Sequence, residues 1–112
     1  MNEKLTILWT NGDPNTAHHM VFMYAINSLM RGWWQEVTIV IWVAPAKLVG
    51  EDESIQEKIK IAQHQGVKIS ACIACATQFG VVENLKSQGI EVISWGQPLT
   101  EIIKNKEHLI TI

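Results

Sequence analysis

One stretch of the sequence, residues 37–43, limits the choice of fold more than any other. It reads Val-Thr-Ile-Val-Ile-Trp-Val and is apolar at almost every position. A strand that is apolar on both faces is typical of a parallel sheet with helices on each side, because such a sheet removes both faces from water. We therefore expect an α/β fold.

Strand-like and helix-like segments alternate along the chain, and turn-forming residues separate them. The predicted strands are residues 5–10, 37–43, 67–71, 90–95 and 109–112. The predicted helices run from Asn15 or Thr16 to Met30, and over residues 45–49, 54–65, 76–88 and 99–104. This alternation implies right-handed crossovers between parallel strands. A chain of 112 residues with no linker or repeat is one domain, residues 1–112.

The composition bears on the partners of the chain. Hydrophobic residues make up 47% of the sequence, and a small domain has little interior, so part of this apolar surface is expected to close against other subunits. The first predicted helix is apolar around most of its circumference and is expected to pack on the sheet and on a second subunit. The net charge is -2 and no basic stripe is present, so we expect no nucleic-acid partner.

The N-terminal residues lead directly into the first predicted strand and lack the features of a signal peptide. No apolar run approaches the ~18 residues of a membrane helix, so we expect no membrane partner. The expected location is cytoplasmic. There, two cysteines are interpreted as thiols, a redox pair or metal ligands before a structural disulfide.

Cys72 and Cys75 are the only cysteines in the sequence and form a C-x-x-C motif between a predicted strand and a predicted helix. Such a turn places both sulfurs at the carboxyl edge of the sheet, where open α/β folds carry their chemistry. A helix N-terminus favours thiolate over thiol. We expect Cys72 at the exposed tip and Cys75 packed inward. The alternative is that both are small buried hydrophobic residues.

Two groups of residues are expected to share this edge with the cysteines. His18 and His19 begin the first helix, and one of them could assist proton transfer at a thiol; alternatively, one is solvated and one is packed. The turn formed by Asn11, Gly12 and Asp13 could line the same cleft, although a plain role as a helix start also explains it.

Tryptophans complete the candidate pocket. Trp9, Trp42 and Trp95 fall at or near strand ends and could wall the cleft, while Trp33 and Trp34 could anchor a subunit contact. Core packing is the alternative for all five.

The sequence predicts neither a metal site nor a bound cofactor. A zinc site needs ligands beyond two cysteines, and the histidines show no paired ligand spacing. There is no glycine-rich loop of a nucleotide-binding type.

The motifs taken together resemble a known family. A strand ending in Thr-Asn-Gly-Asp-Pro at residues 10–14 precedes a helix, and much later residues 66–81 read Gly-Val-Lys-Ile-Ser-Ala-Cys-Ile-Ala-Cys-Ala-Thr-Gln-Phe-Gly-Val, followed by residues 89–92. This pattern resembles the DsrE/DsrF-like family of small proteins associated with sulfur metabolism. The resemblance implies a three-layer α/β/α sandwich on a mainly parallel five-stranded sheet, and assembly into homo- or hetero-oligomers.

The resemblance also implies a role for the cysteines. In relay members of the family a cysteine of this loop carries persulfide sulfur between proteins, and by position it corresponds to Cys72. Cys75 matches a second cysteine found in some relatives. Phe79 stands where many relatives have arginine, a departure from the family pattern that removes support for an anion contact at this loop.

The leading hypothesis is a sulfur carrier that takes sulfane sulfur onto Cys72 from a donor protein and passes it to an acceptor protein, with Cys75 as resolving thiol. The alternative is an oligomeric ligand-binding or assembly protein whose cysteines are structural. A thioredoxin-like reductase fits poorly, because the pair lies in the third strand–helix unit and Trp-Cys-Gly-Pro-Cys is absent.

Overall fold

The computed structural model describes residues 3–112, so Met1 and Asn2, and the predicted lead from them into the first strand, lie outside the described part of the chain. Within this part, five strands form one sheet in the order β4-β3-β2-β1-β5, and every pair of neighbours is parallel. The strands are β1 Lys4–Trp9, β2 Glu36–Ile41, β3 Lys68–Cys72, β4 Glu91–Ile93 and β5 His108–Thr111. The predicted α/β fold with a parallel five-stranded sheet is confirmed.

Helical segments fill every connection but differ from the prediction in detail. They are α1 Pro14–Thr16, a π-helical segment Ala17–Phe22, α2 Met23–Met30, α3 Ala44–Glu51, α4 Glu53–Gln65, α5 Ile73–Gln78, α6 Val82–Ser87 and α7 Gly96–Lys104. The single helix predicted over residues 76–88 is wrong. Gly80 adopts a left-handed φ of 68°, which ends α5 and starts a new turn before α6.

The strand order decides which face of the sheet each helix covers. From β1 to β4 every crossover steps in the same direction, and right-handed crossovers then place their helices on one side, called here the near face. The connection from β4 to β5 runs back across the whole sheet, so α7 lies on the opposite side, the far face. Helices therefore cover both faces, as in an α/β/α sandwich, but the two outer layers are unequal.

The near face holds the main core. Alternate strand residues, including Ile7, Ile39 and Ile69, point into it and pack against buried residues of the helices. Trp9 is fully buried there, and its ring meets Phe22 edge-on with centroids 5.4 Å apart. Trp9 therefore belongs to the core and does not wall a cleft at the cysteines.

The far face holds a smaller apolar cluster. Its buried members are Val40, Cys72 and Trp95, with Leu99 and Ile102 of α7 packed against them. The Trp95 indole donates a hydrogen bond of 2.7 Å from Nε1 to the Ser70 hydroxyl of β3. Trp95 lies at the start of α7 rather than in the predicted strand 90–95, because β4 ends at Ile93.

The opposite end of the far face is charged. At the amino ends of three neighbouring strands, Glu36 forms ion pairs with Lys4 and Lys68. The hydrogen bond from Lys68, with the positive charge of both lysines, lowers the pKa of the Glu36 carboxyl. Apolar cover on this face is thus concentrated at its carboxyl end, where the cysteines lie.

The first helical segment starts differently from the prediction. Asp13 rather than Asn15 or Thr16 is the N-cap, and its carboxylate accepts a hydrogen bond of 2.9 Å from the Thr16 amide. Pro14, which has no N–H to satisfy, takes the first helical position. The segment is not buried all round within one chain, because Met20 and Met23 are exposed. Its packing on a second subunit stays a prediction.

Candidate functional site

The two cysteines lie where β3 gives way to α5. Cys72 is the last residue of β3 and the N-cap of α5, and Cys75 is in the first turn of that helix. The strand extends one residue beyond the predicted end at Ala71, through pairing with β4 that places Cys72 beside Ile93. The pair therefore lies at the carboxyl edge of the sheet, as the motif predicts.

The exposure of the two sulfurs is the reverse of the sequence expectation. Cys72 is only 6% exposed, whereas Cys75 is half-buried. The reason is strand alternation: as a strand residue, Cys72 points to the far face, where Trp95 packs over it. Cys75, on a helix that begins beyond the sheet edge, keeps contact with solvent.

A backbone amide reaches one of the sulfurs. The Val43 N–H donates a hydrogen bond of 3.2 Å to Cys75 Sγ. Val43 follows Trp42, which still bonds to β1 through its amide, and it is the N-cap of α3. The β2-to-α3 turn therefore presents its amide to the cysteine turn of the neighbouring strand.

Val43 adopts an unusual backbone conformation to make this contact. Its φ is 66° and its ψ is -129°, a region that a β-branched residue rarely occupies. Such a conformation costs of order 1–3 kcal/mol and persists where the surroundings enforce it. Backbone strain of this kind at the contact with a reactive side chain is a common feature of functional sites.

The environment of Cys75 favours its protonated form. Burial raises the pKa of the Cys75 thiol above its usual 9.0, and the nearby Cys72 thiol raises it further. The Val43 amide acts in the opposite direction and lowers that pKa. Cys75 also packs against the far-face cluster that contains Cys72, so the two cysteines lie close together at the start of α5.

The N-terminus of α5 contributes less to the stabilisation of a thiolate than the motif suggests. Among the described residues, no amide of the first turn of α5 donates to the Cys72 side chain. The amide that contacts a sulfur comes instead from Val43 and contacts Cys75. Sequence reasoning missed Val43, because every residue but proline carries a backbone N–H and residue type does not reveal where it points.

The other predicted site residues are divided among separate parts of the molecule, and only the tryptophans lie with a cysteine. Trp42 and Trp95 belong to the far-face cluster that contains Cys72. Gly12 lines a separate cavity of about 690 Å³ at the junction of α3 and α4. The further lining residues of that cavity are Ala44, Lys47, Leu48, Glu51, Asp52, Glu53 and Ser54.

The turn before the first helix is held by its own hydrogen bonds. The Asn11 side chain accepts a bond of 2.7 Å from the Asp13 amide, and Asp13 caps the helix. The Asn11 carbonyl accepts a bond of 2.7 Å from the Trp9 indole. These contacts fit the plain role of the turn as a helix start.

The two histidines lie toward α4. The His18 ring makes a hydrogen bond of 3.2 Å through Nε2 with the Ser54 hydroxyl at the start of that helix. Both histidines line an open groove of about 590 Å³ together with Met23, Ile26, Asn27, Lys58 and Ile61. This groove contains neither cysteine, so the structure gives no support for a histidine that assists the thiols.

Within residues 3–112, no group of three His, Cys, Asp or Glu side chains is arranged to hold a metal ion. In the same part of the chain, no helix has the length and apolar character needed to span a bilayer.

The comparisons with known proteins agree with the fold. The sequence model of the DsrE/DsrF-like family matches residues 4–112, and no functionally curated protein matches significantly. Among solved structures, a conserved protein of unknown function from Bacteroides thetaiotaomicron is 43% identical, with a TM-score of 0.96 over 98% of this chain and 95% of that one.

Two more distant structures share the fold alone. A protein of unknown function from Methanobacterium thermoautotrophicum is 14% identical, with a TM-score of 0.73 over 99% of this chain and 100% of the other. The ychN protein from E. coli is also 14% identical, with a TM-score of 0.71 over 100% of both chains. Since the family match spans nearly every residue from β1 to β5, the chain belongs to the DsrE/DsrF-like family.

Proposed function

We propose that this protein is a sulfur carrier that holds sulfane sulfur as a persulfide on Cys72. Membership of the DsrE/DsrF-like family suggests a role related to sulfur relay. The observation that carries the proposal is the proximity of the two cysteines at the carboxyl edge of the sheet, where Cys75 packs against the far-face cluster that contains Cys72. Two adjacent thiols can hold one sulfur atom and release it by exchange between them.

The burial of Cys72 suits a store for sulfur. A persulfide on a side chain that is 6% exposed, beneath Trp95, is shielded from small thiols that would otherwise remove its outer sulfur. In release, the Cys75 thiolate attacks Cys72 Sγ and breaks its bond to the outer sulfur. The outer sulfur leaves as hydrosulfide and a Cys72–Cys75 disulfide remains, so atoms and electrons balance.

The test is retention of sulfur. The reduced protein is incubated with glutathione persulfide, freed of the donor, challenged briefly with cysteine, and weighed by intact mass spectrometry. We expect the wild type to keep a ~32 Da adduct, the mass of one sulfur atom on a thiol. The Cys72→Ser variant is expected to lose it. A wild type without adduct, or a Cys72→Ser variant that retains as much sulfur as the wild type, would contradict the proposal.

A ligand-binding or assembly role is the competing hypothesis. The pocket that it requires, walled by Trp9, Trp42 and Trp95 beside the turn at Asn11, is divided between the two faces of the sheet. The carrier is therefore the function that the geometry supports better. If the wild type takes up no sulfur, the cavity beside Gly12 becomes the place to test for ligand binding.

A further inference from the structure

We propose that Cys75 is the receiving thiol of the pair: sulfane sulfur reaches Cys75 first and then passes from Cys75 to Cys72. This inference rests on the proposed carrier function and goes beyond it by separating the thiol that meets the donor from the thiol that stores the sulfur. Three observations on different residues carry it.

The first observation is access. Cys75 is half-buried and Cys72 is buried, so an outside persulfide can approach Cys75 while Trp95 and α7 stay in place over Cys72. The residue that borders Cys75 on the α3 side, Val43, is 49% exposed. A donor that attacked Cys72 directly would first have to displace the far-face cluster.

The second observation is the amide that faces Cys75. The Val43 N–H lies 3.2 Å from Cys75 Sγ, and a hydrogen bond to a sulfur strengthens when the sulfur becomes a thiolate. Cys75 must be a thiolate twice in this scheme, once as the attacking group and once as the leaving group. The strained turn at Val43 thus supplies a fixed donor at the sulfur that changes charge.

The third observation is the proximity of the two cysteines, because Cys75 packs against the far-face cluster of which Cys72 is a buried member. In the first step, the Cys75 thiolate attacks the outer sulfur of the donor persulfide, the donor S–S bond breaks, and the donor leaves as a thiolate. In the second step, the Cys72 sulfur attacks the outer sulfur now on Cys75, and Cys75 leaves as a thiolate. The proton of the Cys72 thiol passes to Cys75, and no oxidant or reductant is consumed.

The experiment follows the position of the sulfur over time, without the cysteine challenge. Reduced wild-type protein is mixed with glutathione persulfide, quenched at intervals with an alkylating agent, and digested so that each cysteine is located by mass. We expect persulfide on Cys75 at early times and on Cys72 later. In Cys75→Ser, uptake at Cys72 should be at least about tenfold slower, equivalent to a barrier higher by about 1.4 kcal/mol.

Two further variants make the result interpretable. Cys72→Ser should take up sulfur on Cys75 at nearly the wild-type rate and then lose it to added cysteine. Ala74→Ser, at an exposed position between the two cysteines, controls for a serine placed in this turn and should behave as the wild type. Circular dichroism and an unfolding curve establish that each variant is folded.

The Val43 contact has its own readout. Hydrogen exchange of the Val43 amide should be slow in the wild type and in Cys72→Ala, and faster in Cys75→Ala, which removes the acceptor. Equal exchange rates of this amide in all three proteins would contradict a role for the hydrogen bond from Val43 to Cys75.

The outcomes separate this inference from the proposed function. If the wild type retains sulfur and Cys75→Ser loads Cys72 at the wild-type rate, the relay is wrong while the carrier function stands. If sulfur on Cys75 is released as hydrosulfide with formation of a Cys72–Cys75 disulfide, instead of appearing on Cys72, the relay is also wrong. If the wild type takes up no sulfur on either thiol, both fail.

Discussion

Val43 links the strand that precedes it to a cysteine on the next strand–helix unit. The Val43 amide takes no part in the hydrogen bonds of a strand or a helix and donates instead to Cys75 Sγ. Val43 adopts a left-handed φ of 66° in this arrangement. The same sulfur is subject to opposing influences, since burial and Cys72 raise the Cys75 pKa while the Val43 amide lowers it. The pKa of Cys75 therefore depends on its burial and on these two neighbours.

This balance predicts how Cys75 responds to the loss of Cys72. In Cys72→Ala, two influences that raise the Cys75 pKa are absent, so that pKa falls and a larger fraction is thiolate at a given pH below it. We expect alkylation of Cys75 by iodoacetamide to be faster at pH 8 than in the wild type, and its pH profile to move to lower pH. A profile that stays in place, or moves to higher pH, would mean that Cys72 does not control the charge of Cys75.

At the scale of elements, α3 and the turn between α5 and α6 are fitted closely to each other. A Cβ added at Gly50 of α3 would lie 2.5 Å from Cγ1 and 2.9 Å from Cβ of Val81. Because α3 begins at the residue after Val43 and α5 carries Cys75, this close contact fixes the amide donor relative to its sulfur.

Gly50→Ala tests that contact by the sign of its effect on the free energy of unfolding. Helix propensity alone would make alanine stabilising by about 1 kcal/mol inside a helix, whereas overpacking against Val81 costs about 1–3 kcal/mol. We expect a net loss in the free energy of unfolding, measured by urea denaturation. Combination with Val81→Ala should be less destabilising than the sum of the two single changes, and strict additivity would contradict the contact.

The elements also show where sequence reasoning succeeds and where it stops. The strand Glu36–Ile41 and the helix ending at Gly66 were predictable because apolar runs and glycine caps act locally, although the predicted strand ran two residues too far, to Val43. The face on which Cys72 lies was not predictable. The strand continues one residue beyond Ala71, and this single step moves Cys72 from an exposed turn to the far face.

The break after α5 was also not predictable from the sequence. It depends on the left-handed φ of Gly80, and a glycine inside a helical pattern is also compatible with an unbroken helix. The grouping of Cys72 with Trp42 and Trp95 follows from chain connectivity across the sheet, which local sequence patterns do not reveal.

The whole molecule is asymmetric about its sheet. The near face is covered by the helices that lie between β1 and β4, and the far face by α7, none of whose nine residues is fully buried. A layer with little buried area opens locally at lower cost than the rest of the fold. We infer that access to Cys72 is governed by the opening of α7 rather than by global unfolding.

Shortening one side chain of α7 tests this inference. Leu99→Ala removes apolar contact with the far-face cluster and should raise the alkylation rate of Cys72 by roughly tenfold, which corresponds to 1.4 kcal/mol of easier opening. The matched control is Ile103→Ala on the same helix, where the side chain is 58% exposed and the rate should hardly change. Equal acceleration by both variants, or equal acceleration of Cys72 and Cys75, would count against a local opening.

The order of the strands also has a consequence for the path by which the chain folds. Strands β1 to β4 pair with their neighbours in sequence, whereas β5 must return across the whole sheet to join β1, and pairings between distant segments form late because closing the long loop costs entropy first. We therefore expect the part of the chain that encloses Cys72 to dock last. On this path the thiol that is best sheltered in the folded protein would be the one exposed longest during folding, so we expect the redox conditions during folding to influence whether the two cysteines first occur as a dithiol or as a disulfide.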